Sequence, residues 1–304
     1  MPITSIKEAL KALIQSLQIS TIIPSLLIIS INIFYIFPNI WPNSDWSFTN
    51  YSLNIMFAII TIMFSNLYYA FNFTIIRILE GYFGWDSPIL KPLKQIKVLE
   101  KKKLYNNLLR QKAYYMNSII GKNAVQYLDT YFPNNKDSIL PTRLGNAIKA
   151  FEDYPSLRYG IDSVALWPRL APILVENKYI EFVSQQKSSF DFLINLMIAT
   201  IICSFELVYL CIYLNKILFC IFILIASFLS IKFLYFGIIN GAVQWGFSVR
   251  VAFDLYRKDL WTLLRLKSVN TFSDEINRWK EISNLISSGN SKNNFDSIDY
   301  KKEK

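Results

Sequence analysis

Residues 217–240 read ILFCIFILIASFLSIKFLYFGIIN, an apolar run in which Lys232 is the one charged residue. A helix needs about 20 mostly apolar residues to cross the hydrocarbon core of a bilayer, so this stretch predicts a membrane span. The apolar region continues on both sides of it. Between residues 192 and 249 the other charges are Glu206 and Lys216, which leaves room for a second span before the first.

The N-terminal part of the chain has the same character. No charged residue occurs in 12–44 or in 46–76. No segment has the alternating β-branched pattern that a strand would need. We therefore expect an all-α membrane protein with four transmembrane helices arranged as two hairpins. The predicted spans are about 19–37, 53–76, 190–213 and 217–240.

The polar stretches complete the predicted domain organisation. Residues 1–79 comprise an amphipathic segment, at about 3–17, followed by the first hairpin. The predicted later parts are a helical cytoplasmic domain at 80–189, the second hairpin at 190–240, a helical extension at 241–286 and a disordered tail at 287–304. The tail is expected to be disordered because it is polar and has few hydrophobic residues.

Within the central domain, Thr142 is expected to cap a helix that Pro155 ends, and Pro168 is expected to begin the next helix.

The distribution of charge predicts the orientation. Residues 80–189 contain 16 Lys or Arg against 10 Asp or Glu, and residues 241–304 contain 11 against 8. The loop at 38–52 has no basic residue and one acid, Asp45. Because Lys and Arg beside spans stay on the cytoplasmic side, both termini and the central domain are expected in the cytoplasm.

The basic surplus also bears on partners. It lies beside predicted spans, where the orientation rule already accounts for it and where anionic lipid at the cytoplasmic face would be the nearest partner. This disfavours nucleic acid as a ligand. The chain has no histidine and three cysteines without metal-ligand spacing, so we expect neither a metal nor a cofactor.

The central domain contains four short and unusual sequence motifs. They are Leu-Pro-Thr-Arg-Leu-Gly-Asn at 140–146, Asp-Tyr-Pro at 153–155, Tyr-Gly-Ile-Asp at 159–162 and Leu-Trp-Pro-Arg-Leu at 166–170. In these stretches the chain resembles a set of uncharacterised bacterial multipass membrane proteins. The Glu-Gly-Tyr after the second span also looks like theirs. The resemblance implies a shared architecture and location in a bacterial plasma membrane, and it implies no activity.

The same region holds the candidate site. It brings three arginines and three acids into a short segment, with one asparagine beside them: Arg143, Asn146, Glu152, Asp153, Arg158, Asp162 and Arg169. One interpretation is a structural network of ion pairs, because buried charges persist when they are paired. The other is an anion site in which arginines bind a phosphate or carboxylate. Catalysis is disfavoured, since histidine and the usual catalytic motifs are absent, and no catalytic, cofactor or metal residue is assigned.

Two further polar residues lie inside predicted spans. Ionisable residues inside spans are candidate functional residues by default. Glu206 and Lys232 are therefore candidates. Counted from a turn near Asn215, the two would be offset by about 12 Å along the helix axes. They could each meet a neutral polar partner, or they could line a pore or a subunit interface.

Three classes of function remain open on the sequence. The first is a non-enzymatic homo-oligomer, either channel-like or a membrane effector controlled by its cytoplasmic domain. It is favoured because helix 241–266 is apolar around most of its circumference and needs partners. The second is a scaffold that anchors cytoplasmic proteins. The third is a membrane enzyme acting on a lipid or a phosphorylated substrate.

Overall fold

The computed structural model describes residues 19–43 and 51–288. The predicted amphipathic segment at 3–17, and the predicted disorder of residues 289–304, lie outside that part of the chain. Within it, the regular structure is helical and contains no β-strand. The predicted all-α class is therefore confirmed for the described residues.

The helices are named here in chain order. They are α1 (Ile19–Ile40), α2 (Tyr51–Glu80), α3 (Lys91–Tyr114), α4 (Ile119–Tyr131), α5 (Arg143–Tyr159), α6 (Ser163–Glu176), α7 (Tyr179–Tyr213), α8 (Ile217–Leu263) and α9 (Phe272–Ser288). A short 3₁₀ turn occupies Lys136–Ser138, between α4 and α5.

Four of these helices, α1, α2, α7 and α8, are long and apolar enough to cross a membrane. They fall on the four predicted spans, so the structure has a candidate membrane-spanning helix at each predicted position. The helix α1 is not regular throughout. Its residues Asn32–Ile36 form a π-helical turn between α-helical Ile19–Ile31 and Phe37–Ile40.

The chain divides into two compact units, and each is built from two separate stretches. The span unit comprises Met1–Ile76 and Lys187–Gly241, and the polar unit comprises Arg77–Gln186 and Ala242–Lys304. The core of the span unit includes a cluster of Ile28, Tyr68, Ala199 and Cys203.

The C-terminal part of α8 lies in the polar unit and is covered by aromatic pairs. Its Trp245 packs on Phe151 at 5.0 Å between ring centroids, and its Trp261 packs on Trp279 of α9 at 5.2 Å. The predicted continuation of the fourth span into a longer helix is present, because α8 runs without a break from Ile217 to Leu263. Its apolar circumference is thus covered partly by its own chain.

The start and end of α5 test two sequence expectations. Thr142, predicted to cap the helix, does so by accepting a hydrogen bond from the Gly145 amide at 2.9 Å. Pro155, predicted to end it, does not. The helix continues through the buried Pro155 to Tyr159, although the proline nitrogen cannot donate a helix hydrogen bond. The stop is Gly160, whose φ of +75° is left-handed.

Two other boundaries differ from the sequence prediction. The helix α6 begins at Ser163 and not at Pro168, because the Asp162 side chain caps it by accepting from the Val164 and Ala165 amides. Residues 287 and 288, predicted to belong to the disordered tail, are helical. Ser287 belongs to α9, and its hydroxyl donates to Asp162 Oδ2 at 2.9 Å.

Candidate functional site

The turn before α5 is held by the side chain of Asn146. Its amide donates to the Leu140 and Thr142 carbonyls, and its carbonyl oxygen accepts from the Leu140 amide, each at 2.8 Å. Only 1% of Asn146 is exposed. Since these bonds use both amide hydrogens and the oxygen, Asn146 is a structural residue of this turn.

The same motif binds the chain just beyond the second span. Thr142 Oγ1 donates to the Glu80 carbonyl at 2.8 Å. Gly145 passes so close to that carbonyl oxygen that any Cβ at position 145 would collide with it. Pro141 covers Gly81, whose φ of +101° suits glycine. The motif at 140–146 therefore forms a joint with Glu80 and Gly81.

Charged groups gather beside this joint. Glu80 is 4% exposed and pairs with Arg77, with Nη1 and Oε2 3.1 Å apart. Lys149 lies 3.1 Å from Asp153 and 3.6 Å from Glu152. Burial raises the pKa of Glu152, although Lys149 acts in the opposite direction. For Lys149, burial acts to lower the pKa, but the charge and hydrogen bond of Asp153 raise it overall.

The predicted pairing of arginines with these acids is wrong. The guanidinium carbon of Arg143 lies 4.6 Å from the ring centroid of Tyr131 and 5.7 Å from that of Tyr127, both on α4. Its Nε is buried and has no hydrogen-bond partner among the described residues. Glu152 and Asp153 pair with Lys149 instead, because residues three and four apart on a helix are neighbours.

The two other arginines also lie apart from those acids. Arg169 donates to the Ala165 carbonyl of its own helix at 2.9 Å, and its side chain is exposed. Arg158 is exposed and forms no ion pair with any residue that the structure describes. Asp162 serves as the cap of α6.

The structure does bring the predicted residues together in two groups. Glu152, Asp153 and Asp162 line one cavity of about 380 Å³, together with Lys149 and Lys280. Arg158 lines a different cavity of about 440 Å³, together with Arg250. Among residues 19–43 and 51–288, no three His, Cys, Asp or Glu side chains are placed to hold a metal ion.

Inside the span unit, the carboxylate of Glu206 meets a neutral partner. Asn32 Nδ2 donates to Glu206 Oε2 at 3.0 Å and also to the Ile28 carbonyl at 3.0 Å. Asn32 is the first residue of the π-helical turn of α1. Turns of this kind occur often at functional sites because they redirect a side chain.

A small cavity adjoins this pair. It measures about 230 Å³, and both Asn32 and Glu206 line it, together with apolar side chains such as Phe57 and Phe64. The Tyr68 hydroxyl, on α2, is buried without a hydrogen-bond partner in the described chain. The pair is thus a polar site within an apolar surrounding.

Other polar contacts join the same helices. Thr21 and Ser65 hydroxyls lie 2.6 Å apart, and Asn195 Nδ2 donates to the Ser20 carbonyl at 3.1 Å. Together with the Asn32–Glu206 bond they form a polar seam through α1, α2 and α7. Contacts like these stabilise helix pairs in membranes. Helix packing therefore accounts for most of this seam.

Lys232 does not meet Glu206. Its Nζ lies 4.6 Å from the ring centroid of Phe228, one turn away on α8, and its side chain is exposed. It forms no ion pair within the described chain. The two charged residues of the candidate spans therefore have separate surroundings.

Several residues of these sites were not predicted from the sequence. Asn32 carries a signal that could have been used, since it is an amide in an otherwise apolar span. Lys149 could also have been found, because it lies three and four residues before two acids. Arg250 carries no such signal, since only the fold brings it beside Arg158.

Comparison with protein-family models, with curated proteins and with solved structures finds no match to this chain.

Proposed function

We propose that this protein is a non-enzymatic, homo-oligomeric and channel-like membrane protein whose polar unit controls its membrane part. The observation that carries the proposal is the Asn32–Glu206 pair. It places a carboxylate in a candidate span, against a π-helical turn and beside a cavity. Ionisable groups inside spans typically mark ion pathways.

The chemistry of the pair favours a cation as the permeating species. Asn32 is neutral, so its hydrogen bond orients the Glu206 carboxylate without neutralising its charge. A carboxylate in apolar surroundings attracts cations strongly because the low dielectric screens it poorly. Glu206 lies seven residues before the end of α7 at Tyr213, or about 10 Å along the axis, so it is within reach of one end of the span.

Assembly into an oligomer is supported by α8. None of the most apolar 18-residue window in this helix is buried within the chain, and Lys232 is exposed in its span. A lysine that faces lipid is costly in free energy. A second copy packed on this face would cover Lys232 and the apolar surface beside it.

The proposed setting is a bacterial plasma membrane. The four spans would cross it as two hairpins, with both termini and residues 80–189 in the cytoplasm. The charge asymmetry of the loops supports the orientation, and the resemblance in the central motifs supports the bacterial membrane. Anionic lipid is the expected partner of the cytoplasmic face, and a cytoplasmic protein partner would fit the scaffold alternative.

Ion flux tests the central proposal. The purified protein is reconstituted into liposomes, and potassium and proton flux are recorded with entrapped indicators. We expect flux above that of empty liposomes. Glu206→Gln keeps the size and hydrogen bonding of the side chain but removes its charge, so flux should fall to the empty-liposome level. Glu181→Gln, on the same helix but in the polar unit, is the matched control and should conduct like the parent.

Two results would contradict this function. A parent protein with no flux, purified together with a stoichiometric second protein, would favour the scaffold instead. Flux that Glu206→Gln leaves unchanged would remove Glu206 from the pathway. The mass of the particle in detergent tests assembly separately, because a monomer across detergents and concentrations would exclude the homo-oligomer.

A further inference from the structure

The cavity of about 440 Å³ in the polar unit has walls from four helices and one loop. It lies among α3, α4, α5 and α8 and is closed on one side by the residues that follow α4. Its volume is within the range of small-molecule sites, about 300–1,000 Å³.

Basic side chains dominate the rim of this cavity. Lys112 of α3, Arg158 of α5 and Arg250 of α8 line it, against the single acid Asp129 of α4. Lys112 and Arg158 are exposed and form no ion pair with any described residue. Three positive charges and one negative charge leave a net surplus of two, which favours an anion.

Arg250 is the oriented member of the three. Its Nη2 donates to the Asp129 carbonyl at 2.8 Å, and its guanidinium carbon lies 5.1 Å from the Tyr154 ring centroid. Its Nε is buried and makes no hydrogen bond within residues 19–43 and 51–288. One edge of the guanidinium is thus used for structure, while the group remains fixed in a position from which it can bind an anion.

The rest of the lining is apolar. Leu109, Leu128, Phe132 and Leu157 contribute side chains. Two tyrosines also line the cavity, but their hydroxyls are engaged elsewhere. Tyr105 donates to the Asn134 carbonyl at 2.9 Å, and Tyr154 donates to the Asp254 carboxylate at 3.1 Å. A ligand here would meet both apolar or aromatic surface and cationic groups.

We propose that this cavity binds a phosphate monoester with an apolar or aromatic body. The phosphate would lie among Arg250, Arg158 and Lys112, because guanidinium groups bind phosphate oxygens in a bidentate manner. The body would pack on the leucines and the tyrosine rings. A purely structural role for Arg250, as a tie between α8 and α4, does not account for two further cations at the same rim. This site goes beyond the proposed ion pathway and does not depend on it.

The test measures binding by the whole protein in a mild, uncharged detergent. The soluble probe is 1-naphthyl phosphate, the lipid probe is dihexanoyl phosphatidic acid, and 1-naphthol and inorganic phosphate separate the two halves of the ligand. Calorimetry should show saturable binding of at least one phosphate monoester and much weaker binding of both fragments. Binding of only the phosphatidic acid identifies a lipid headgroup as the source. Binding of naphthyl phosphate identifies a soluble ester.

Variants locate the site. Arg158→Gln should weaken binding about tenfold, since it removes one charge-assisted hydrogen bond. It should leave thermal stability unchanged because Arg158 is exposed and forms no ion pair with a described residue. Arg250→Gln should weaken binding further, although it also removes the tie to α4. Arg169→Gln removes the same charge from an exposed position outside the cavity and should bind like the parent.

The proposal is overturned by any of three results. These are no saturable binding of either ester, equal binding by Arg158→Gln and the parent, or binding of 1-naphthol as tight as that of its phosphate. Neither the binding measurement nor the stability control involves ion flux. A failure here is therefore distinct from a failure of the proposed function.

Discussion

At the scale of the residue, the partner of each charged side chain depends on which groups the fold places next to it. Arg143 contains the guanidinium expected to pair with an acid, yet it lies over the ring of Tyr131. The acids Glu152 and Asp153 are satisfied by Lys149 from the same helix. Planar guanidinium groups stack on aromatic rings, and ammonium groups do so less well.

Arg143→Lys should destabilise the protein by about 0.5–1 kcal/mol, because it keeps the charge but loses most of the stacking on Tyr131. Arg143→Ala should destabilise it more, since the packing of the side chain stem is also lost. Thermal unfolding in detergent measures both. A double-mutant cycle with Tyr131→Leu should show that the two substitutions are not additive.

Arg169→Lys is the control for this change, because the exposed Arg169 side chain donates to a carbonyl of its own helix and the variant should unfold like the parent. Suppose instead that Arg143→Ala folds and assembles normally but loses ligand binding or flux. Arg143 would then belong to a ligand site, and the structural role would be wrong.

At the scale of the element, the motif at 140–146 acts as one piece. Pro141, Thr142 and Gly145 each contact the Glu80–Gly81 segment through a different kind of interaction: packing, hydrogen bonding and close backbone approach. Asn146 holds the turn that presents them. The joint that this stretch forms accounts for its unusual residue pattern.

Gly145→Ala should destabilise the protein by about 1–3 kcal/mol, because the added methyl group collides with a backbone carbonyl that cannot turn away freely. Gly237→Ala is the matched change in α8. Its Cβ would meet the two Leu193 methyl carbons at 3.5 and 3.9 Å, which are ordinary contacts. It should be neutral or stabilising by up to about 1 kcal/mol, since alanine favours the helix.

Denaturation midpoints in the same detergent provide this comparison. Equal midpoints for Gly145→Ala and Gly237→Ala would show that α5 can move away from Glu80 without loss, and the joint would then have no structural importance.

At the scale of the whole molecule, both units are discontinuous in sequence. Neither can be removed by cutting the chain once, since each is made of two stretches that alternate with those of the other. The proposed topology assigns the loop between α1 and α2 to the outside and the loop between α4 and α5 to the cytoplasm. Asn43 and Asn135 represent these two loops, and both are exposed.

Cysteines introduced at these positions test the topology in intact cells. An impermeant maleimide should label Asn43→Cys and should not label Asn135→Cys until the cells are lysed. Cys203 and Cys211 are buried and Cys220 is partly exposed, so Cys220 is first replaced by serine. Labelling of Asn135→Cys in intact cells would contradict the cytoplasmic assignment of the central domain.

Features that depend on local composition could be predicted from the amino-acid sequence. Four spans, the helical class and the Thr142 cap could be predicted because hydropathy is a sum over neighbouring residues and a cap acts over three residues. The continuation of the fourth span into a long helix could also be predicted, since no helix breaker interrupts it.

The tertiary structure alone decided the partners. Which side chain meets Arg143, Glu206 or Arg250 depends on the helix faces that pack together, and those faces come from segments far apart in the chain. Asn32 and Glu206 are 174 positions apart, and Arg250 and Asp129 are 121 apart. A local sequence pattern cannot predict contacts at that separation, because they depend on the free energy of packing the whole core.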